Sequence, residues 1–221
     1  MELETRHRFG LAVALVLVGA VASALAAPDL PERVATHWNA AGEPDDYAAK
    51  WVALVGMPAL ATGLLAMLAV VPRIDPLGEN IADFRSTYDW FAVALTAFLT
   101  ALHLGVLAYN LGYEFDFLRL VAVGVAALYY FVGRVIDRAK RNWFVGVRTP
   151  WTLSNDEVWD RTHALAARLF RVAAVVALLG AAVGEFVVYF LAVPAAAIAV
   201  VATGYSYYAY RQVESEDALG G

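Results

Sequence analysis

Long apolar runs alternate with short polar segments along the whole chain. Six of these runs approach or exceed the roughly 20 mostly apolar residues that an α-helix needs to cross the hydrocarbon core of a membrane. Lipid offers no partner to free backbone groups, so each run is interpreted as a helix. The runs cover residues 9–27, 51–71, 89–110, 118–136, 164–184 and 186–209. The pattern predicts an all-α integral membrane protein: a six-transmembrane-helix bundle with an ordered outer loop and a cytoplasmic amphipathic helix before helix five.

The boundary between the fifth and sixth helices is the least obvious one, because the apolar stretch is interrupted only at Gly184-Glu185 and at Pro194. A break at Pro194 would leave Glu185 near the centre of the bilayer, at a cost of about 3 kcal/mol. A break at Gly184-Glu185 avoids this cost. The sequence therefore predicts that the fifth helix ends near residue 184.

Composition agrees with a membrane protein and excludes several kinds of site. The chain is 61% hydrophobic and 17% charged, and it contains no cysteine. Disulfides, thiolate metal sites and cysteine nucleophiles are thus excluded. The net charge of −5 and the scattered cations argue against direct nucleic-acid binding.

Lysine and arginine are distributed unevenly between the two sides of the predicted bundle. With a cytoplasmic N-terminus, thirteen of them fall on the inner side and three, Arg33, Lys50 and Arg119, on the outer side. Cytoplasmic loops carry the excess of Lys and Arg in membrane proteins. We therefore predict a multi-pass protein of the cell membrane with both termini in the cytoplasm. The first apolar run is too long for a cleavable signal peptide, so we expect it to remain as the first helix.

The outer loop, residues 28–50, contains Pro31, Pro44, Gly42 and several aromatic residues. These residues restrict or direct the backbone, and aromatic rings favour the membrane–water boundary. The loop is therefore expected to be ordered. We predict that Trp38, Tyr47 and Trp51 offer apolar area to an extracellular peptide. His37 lies near acidic residues, but such an arrangement is more often hydrogen-bonded structure than a metal site, and we predict no metal and no cofactor.

The loop between the fourth and fifth helices, residues 137–163, crowds specialised residues into a short segment. The sequence Ser154-Asn155-Asp156-Glu157 predicts a capping box that begins a helix at about Asn155. Two interpretations of the segment upstream stay open. It is an interfacial anchor for helices four and five, or it is a cytoplasmic docking or ligand site that includes Arg148 and His163.

Both loops resemble a known family. The outer loop resembles a small membrane-associated module of unknown function through Leu30, Pro31, His37, Trp38, Asn39, Gly42, Asp45 and Lys50. The inner loop resembles the SdpI family of bacterial immunity proteins through Asn142, Gly146, Val147, Arg148, Thr149, Pro150, Trp151, Thr152, Trp159, Thr162, His163, Leu165 and Ala166. Tyr205-Ser206-Tyr207, near the end of the last helix, is also similar to that family. The resemblance covers nearly the whole chain and divides it into a two-helix module, residues 1–71, and a four-helix region, residues 72–221.

The resemblance implies a membrane immunity and signalling protein that confers resistance to a secreted antimicrobial peptide. It further implies that the protein binds the peptide, captures a cytoplasmic transcriptional repressor, or does both. The predicted partners are therefore membrane lipids, a toxin peptide and a repressor. The predicted binding residues are Asn142, Gly146, Arg148, Thr149, Pro150, Trp151, Thr152, Trp159 and His163 in the inner loop, and Pro31, His37, Trp38, Asn39, Gly42, Asp45 and Lys50 in the outer loop.

The third predicted helix carries polar residues at seven-residue intervals, which align on one helix face. They are Asp89, Thr96, His103 and Asn110, with Thr100 between them. Hydrogen bonding between helices is one explanation of this stripe. The alternative is a small polytopic transporter or channel-like protein that uses the stripe as a polar path. A third possibility is an intramembrane enzyme or lipid-binding module centred on Arg148 and His163. No catalytic fingerprint is present, so the sequence predicts that the protein is not an enzyme.

Overall fold

The structure is a computed structural model that describes residues 2–220 of the chain. It contains eight α-helices and one β-hairpin within these residues. In chain order the elements are α1 (Glu2–Ala26), β1 (Arg33–Trp38), β2 (Pro44–Ala49), α2 (Lys50–Ile74), α3 (Gly78–Asp83), α4 (Arg85–Asn110), α5 (Phe117–Ile136), α6 (Pro150–Ser154), α7 (Asp156–Val183) and α8 (Val187–Gly220).

The predicted bundle of six membrane helices is confirmed. Helices α1, α2, α4, α5, α7 and α8 are each long and apolar enough to cross a membrane. The predicted break at Gly184-Glu185 is also correct, because α7 ends at Val183 and Gly184 adopts a left-handed conformation, with a φ of 78°. Its backbone N–H donates to the carbonyl of Gly180 and closes the helix.

The six long helices pack in two groups, each formed by helices that are close in the chain. Helix α1 lies against α4 and α2, while α5 packs on α7 and α7 on α8; contact between α4 and α5 joins the two groups. The two ends of the bundle are therefore different. One end carries the β-hairpin and the connections after α4 and α7, and we call it the hairpin end. The other carries both described chain termini and residues 137–163, and we call it the motif end.

The outer loop is ordered, as predicted, but its form is a β-hairpin that the sequence interpretation did not anticipate. Strands β1 and β2 pair antiparallel, with register irregularities on either side of His37. Asn39 closes the turn, because its side-chain Oδ1 accepts from the backbone N–H groups of Ala41 and Glu43. Gly42 follows with a φ of 81°, a conformation that glycine adopts at little cost.

The hairpin is fixed to the bundle by Asn110, the last residue of α4. The Asn110 side chain accepts a hydrogen bond from the backbone N–H of Ala35 and donates one to the carbonyl of the same residue, at 2.7 and 3.0 Å. Trp38 also packs beneath the hairpin, and its ring stacks on Phe117 with centroids 3.8 Å apart. Both contacts bring β1 onto the ends of α4 and α5.

Three members of the polar stripe of α4 contact α1. The Thr100 hydroxyl donates to the carbonyl of Leu15 on α1. His103 is buried and lies 2.8 Å from the hydroxyl of Ser23, which itself donates to the carbonyl of Leu54 on α2. Asp89 is fully buried and accepts hydrogen bonds from Thr5 of α1 and from Arg85. The stripe therefore binds α1 to α4.

The predicted start of the fifth spanning helix is nearly right in position but wrong in its capping residue. Ser154 is the last residue of the short helix α6, and Asn155 is the N-cap of α7. The Asn155 side chain accepts from the N–H groups of Glu157 and Val158, a role for which asparagine and serine are almost equally suited. The helix predicted from about Asn155 is thus the first part of α7 and continues into the span without a break.

Candidate functional site

The segment that links α5 to α7, residues 137–155, is called the motif loop. Asn142 organises its first half. It is fully buried, and its side-chain amide donates to the carbonyls of Lys140 and Val145. Its side-chain oxygen accepts from the N–H groups of Phe144 and Val145. One side chain therefore satisfies four backbone groups and fixes a tight turn, which buried backbone requires.

Gly146, Trp159 and His163 meet in the next part of the loop. The indole of Trp159 stacks on the His163 imidazole with ring centroids 3.9 Å apart, and its N–H donates to the carbonyl of Ala139. Gly146 has a φ of 120°, and a Cβ atom at this position would lie only 2.2 Å from His163 Nε2. Only glycine fits here without displacing the ring.

The hydrogen bonds of His163 define its tautomer. Its Nε2 atom accepts from the backbone N–H of Val147 at 3.1 Å, so this nitrogen carries no proton. Its Nδ1–H faces the carbonyl of Trp159, 2.8 Å away. Neutral histidine has one donor and one acceptor nitrogen, and both are used. His163 therefore joins the motif loop to α7. Its ring is buried, and both ring nitrogens are hydrogen-bonded to backbone groups of the protein.

Thr149 and Thr152 form the second polar junction of the motif. Thr149 is the N-cap of α6, with Pro150 in the first turn, and Thr149 and Thr152 form a capping box. The Thr152 hydroxyl donates to the carbonyl of Val147. The Thr149 hydroxyl lies 3.1 Å from that of Ser206 on α8, so this junction fastens the motif loop to the last helix.

Arg148 differs from its neighbours because its side chain is exposed. One of its terminal nitrogens donates to the carbonyl of Trp143 at 2.8 Å. Trp143 and Phe144 are also substantially exposed, while Trp151 is half-buried and packs against Tyr207. The exposed face of the motif therefore includes Trp143, Phe144 and Arg148.

The motif loop also forms one wall of an apolar cavity of about 430 Å³. Residues Phe144 to Val147 lie on one side, and Phe91 of α4 and Ile198 of α8 are among the other lining residues. The lining is almost entirely apolar, so the cavity suits hydrocarbon and lacks the polar groups that position a reacting substrate.

The predicted outer-loop residues gather at the opposite end of the molecule. Lys50 pairs with Glu32 at 2.8 Å, and the exposed His37 contacts Asp45. Pro31 is exposed, and Asn39 and Gly42 form the hairpin turn. Trp38 is 8% exposed because its ring stacks on Phe117, and it lines an apolar groove. Tyr47 and Trp51 are exposed, as expected.

An apolar groove of about 500 Å³ lies beneath the hairpin. It is lined by residues of β1, α2, α4 and α5, among them Trp38, Gly56, Met57, Leu102 and Leu118. The indole N–H of Trp38 is buried and has no hydrogen-bond partner among residues 2–220. A buried donor without a partner costs free energy.

Several residues that shape the two ends were not singled out by the sequence. Asp75, in the connection after α2, accepts from the backbone N–H of Trp143 and holds the motif loop from outside. Asn80 of α3 donates to the carbonyl of Arg141. The sequence placed Asn110 in the polar stripe but gave no indication that it docks the hairpin. These contacts join residues more than 60 positions apart, a relation that local spacing does not reveal.

Comparison with known proteins confirms the predicted resemblance to the SdpI family. Residues 138–206 match the SdpI/YfhL protein family, and residues 14–62 match a domain of unknown function, DUF1648. The immunity protein SdpI of Bacillus subtilis (strain 168) is 25% identical over 210 residues, which cover 92% of this chain and 96% of that protein. No solved structure matches the chain. Together with the six apolar helices, these matches identify a multi-pass membrane protein.

Proposed function

On the basis of this likeness to the SdpI family, we propose that the chain is a membrane immunity protein that protects its cell against a secreted antimicrobial peptide. It acts by binding and not by catalysis, and it uses no cofactor. The peptide is bound at the hairpin end, within the apolar groove beneath the hairpin. The single observation that carries this assignment is the apolar groove itself.

The groove has the chemistry that an apolar peptide segment requires. Its walls are apolar over most of their area, so side chains of the peptide would leave water or lipid headgroups for a close-packed surface.

Charge at the hairpin end favours a cationic peptide. The hairpin end of the bundle carries eight acidic residues and three cations. The acids are Asp29, Glu32, Glu43, Asp45, Asp46, Glu114, Asp116 and Glu185. Two of the cations are already engaged, since Lys50 pairs with Glu32 and Arg119 with Asp116. The remaining negative charge would attract a cationic peptide and speed its approach.

A pair of glycines on α2 allows a matched test of the groove. A Cβ atom at Gly56, which lines the groove, or at Gly63, which does not, meets no atom within 4 Å. Gly56→Phe therefore adds a ring at the groove from an open Cβ position, and Gly63→Phe adds the same ring to the same helix elsewhere. Sensitive cells that produce each variant are challenged with the peptide fraction secreted by the source organism and its neighbours, and membrane accumulation is measured in parallel.

We expect Gly56→Phe to reduce the tolerated peptide concentration by about ten-fold or more, which corresponds to a loss of about 1.4 kcal/mol of binding free energy. Gly63→Phe should protect as well as the parent chain. If the parent chain gives no survival advantage, the immunity function is wrong. If Gly56→Phe protects fully, the function stands and the groove is excluded.

The direction of the bundle in the membrane is part of the proposal. The motif end, with both termini, is placed in the cytoplasm because thirteen of the sixteen lysines and arginines lie on that side. The chain has no cysteine, so single cysteines at the exposed positions Ala40 and Arg148 can be labelled separately. An impermeant thiol reagent should label Ala40→Cys in intact cells and Arg148→Cys only after lysis. The reverse pattern would contradict this orientation.

The exposed part of the motif, Trp143, Phe144 and Arg148, is the surface proposed for a cytoplasmic repressor. Planar guanidinium groups hold carboxylates in fixed geometry, and aromatic side chains are enriched in interfaces. A fluorescent fusion of a repressor encoded beside the gene should move to the membrane on peptide challenge and remain dispersed with Arg148→Ala. A repressor that stays dispersed with the parent chain would exclude capture while leaving immunity intact.

The transporter or channel alternative stays a prediction, and the contacts of α4 do not favour it. It required the polar stripe of α4 to face a path, whereas Thr100 and Asp89 bond to α1 and His103 lies against Ser23 of α1. Solute or ion flux in proteoliposomes that contain the purified chain would revive it.

A further inference from the structure

A polar cavity of about 600 Å³ lies at the motif end, on the side of the bundle away from α7 and α8. The beginning of α1, the end of α2, helix α3 and the beginning of α4 enclose it. Arg6, Arg73 and Arg85 line it, and Glu2 is the acidic residue among its lining side chains. Three guanidinium groups thus converge on one cavity against a single carboxylate.

The three arginines differ in what holds them. The Nε of Arg85 donates to the buried carboxylate of Asp89 at 2.7 Å, which also accepts from Thr5. This contact fixes the Arg85 side chain at the cavity wall. One terminal nitrogen of Arg73 donates to the carbonyl of Ala69 within α2. Arg6 is exposed and forms no ion pair among residues 2–220.

Hydrogen-bonding capacity remains on these groups, since each guanidinium carries five N–H donors. The helix ends do not decide the sign of the potential, because the positive end of α1 and the negative end of α2 meet at the same place. Because Arg85 pairs with the carboxylate of Asp89, it is Arg6 and Arg73, against Glu2, that make the cavity cationic. An anion between them stabilises like charges that line one cavity, and guanidinium groups bind phosphate in fixed geometry.

The position of the cavity selects a membrane lipid as the source of that phosphate. Three membrane-length helices begin or end at its walls, so it lies at the depth of lipid headgroups. Leu3 and Ile74, which belong to the same helix ends, are 69% and 56% exposed. Apolar side chains of this kind beside cations suit a site that takes the headgroup and the first part of the hydrocarbon chain together.

We propose that this cavity binds the phosphate group of an anionic membrane lipid, with Arg6 and Arg73 as contacting cations and Arg85 fixed in place by Asp89. The site is separate from the peptide groove and from the exposed surface of the motif. It does not depend on the proposed immunity function.

The test measures the melting temperature of the full chain in mixed micelles that contain phosphatidylglycerol, with phosphatidylcholine as the uncharged comparison and inorganic phosphate at matched ionic strength as the free anion. A lipid that binds the folded chain raises its melting temperature. We expect phosphatidylglycerol to raise it by several degrees and the other two additions to leave it nearly unchanged. An equal effect of inorganic phosphate would overturn the assignment to a lipid.

Two double variants separate a built site from general charge attraction. Arg6→Gln with Arg73→Gln removes the contacting cations and spares Arg85, whose partner is buried. Arg168→Gln with Arg211→Gln removes two exposed cations that lie towards the motif end and outside the cavity. Only the first pair should abolish the shift produced by phosphatidylglycerol. A shift that survives in the first pair, or that disappears in both, would refute the cavity as the binding site. The melting curve without lipid shows in each case that the variant is folded.

Discussion

The two ends of the bundle use their polar and aromatic residues in opposite ways. At the motif end, Asn142 satisfies four backbone groups, His163 uses both ring nitrogens, and Thr149 reaches Ser206 of the last helix. At the hairpin end, the Trp38 ring is packed but its N–H has no partner in the described part of the chain, and an apolar groove remains beside it. Most polar groups of the motif are satisfied by one another, with the buried Thr162 hydroxyl as an exception.

This contrast teaches that a concentration of special residues in a sequence does not by itself locate the place where a ligand binds. A loop at a membrane surface must satisfy its buried backbone groups, and the motif residues accomplish this. The groove proposed for the peptide lies at the other end, among common residues such as Gly56, Met57 and Leu118. These residues have no distinctive chemistry and acquire their role only from packing.

The largest effect is expected from a single methyl group in the motif turn. Gly146→Ala places Cβ 2.2 Å from His163 Nε2 in a conformation with positive φ, so we expect a loss of about 3 kcal/mol in the free energy of unfolding. Thermal unfolding in detergent measures it. Gly204→Ala, in open space on α8, should cause no loss. A stable Gly146→Ala variant would show that the motif turn is more adaptable than this packing implies.

A smaller and local effect should separate the two ends directly. Asn110→Ala leaves both backbone groups of Ala35 without their partner, at a cost of about 1–3 kcal/mol per unsatisfied buried group. We expect faster hydrogen exchange in the hairpin and unchanged exchange in residues 141–148. Asn80→Ala frees the carbonyl of Arg141. It should speed hydrogen exchange in residues 141–148 and leave exchange in the hairpin unchanged. Faster exchange at both ends in either variant would mean that the ends are coupled.

Much of the fold follows from the sequence because lipid imposes strong rules. Apolar runs of sufficient length predict the six helices, and the cost of burying Glu185 predicts the end of α7. Helix α4 begins at Arg85 instead of residue 89, because its first turn is polar and hydropathy does not include it. The polar first turns of α7 were predicted separately, from the capping pattern that begins a helix at about Asn155.

The remaining features depend on contacts between distant residues. The hairpin was missed because β2 contains Pro44, Asp45 and Asp46 and lacks the alternation typical of a strand. Its pairing with β1 and the bonds from Asn110 hold it in place. Likewise, the motif residues were correctly expected to be special, but their spacing does not show which side chains face inward. Arg148 and His163 look equally available in the sequence, and only Arg148 is exposed.

The smallest effect on stability is expected at Arg148, where the comparison between closure and recognition becomes sharpest. Its side chain is exposed and has one hydrogen bond, to the carbonyl of Trp143, so Arg148→Lys should change the free energy of unfolding by about 0.5 kcal/mol or less. Lysine keeps the charge but loses the planar fork. If this surface binds a partner, protection or repressor recruitment should fall while membrane accumulation stays the same. Arg211→Lys, an exposed arginine at the same end, is the control. Full activity of both Arg148→Lys and Arg148→Ala would leave the whole motif with a purely structural role, and the hairpin end would then carry recognition alone.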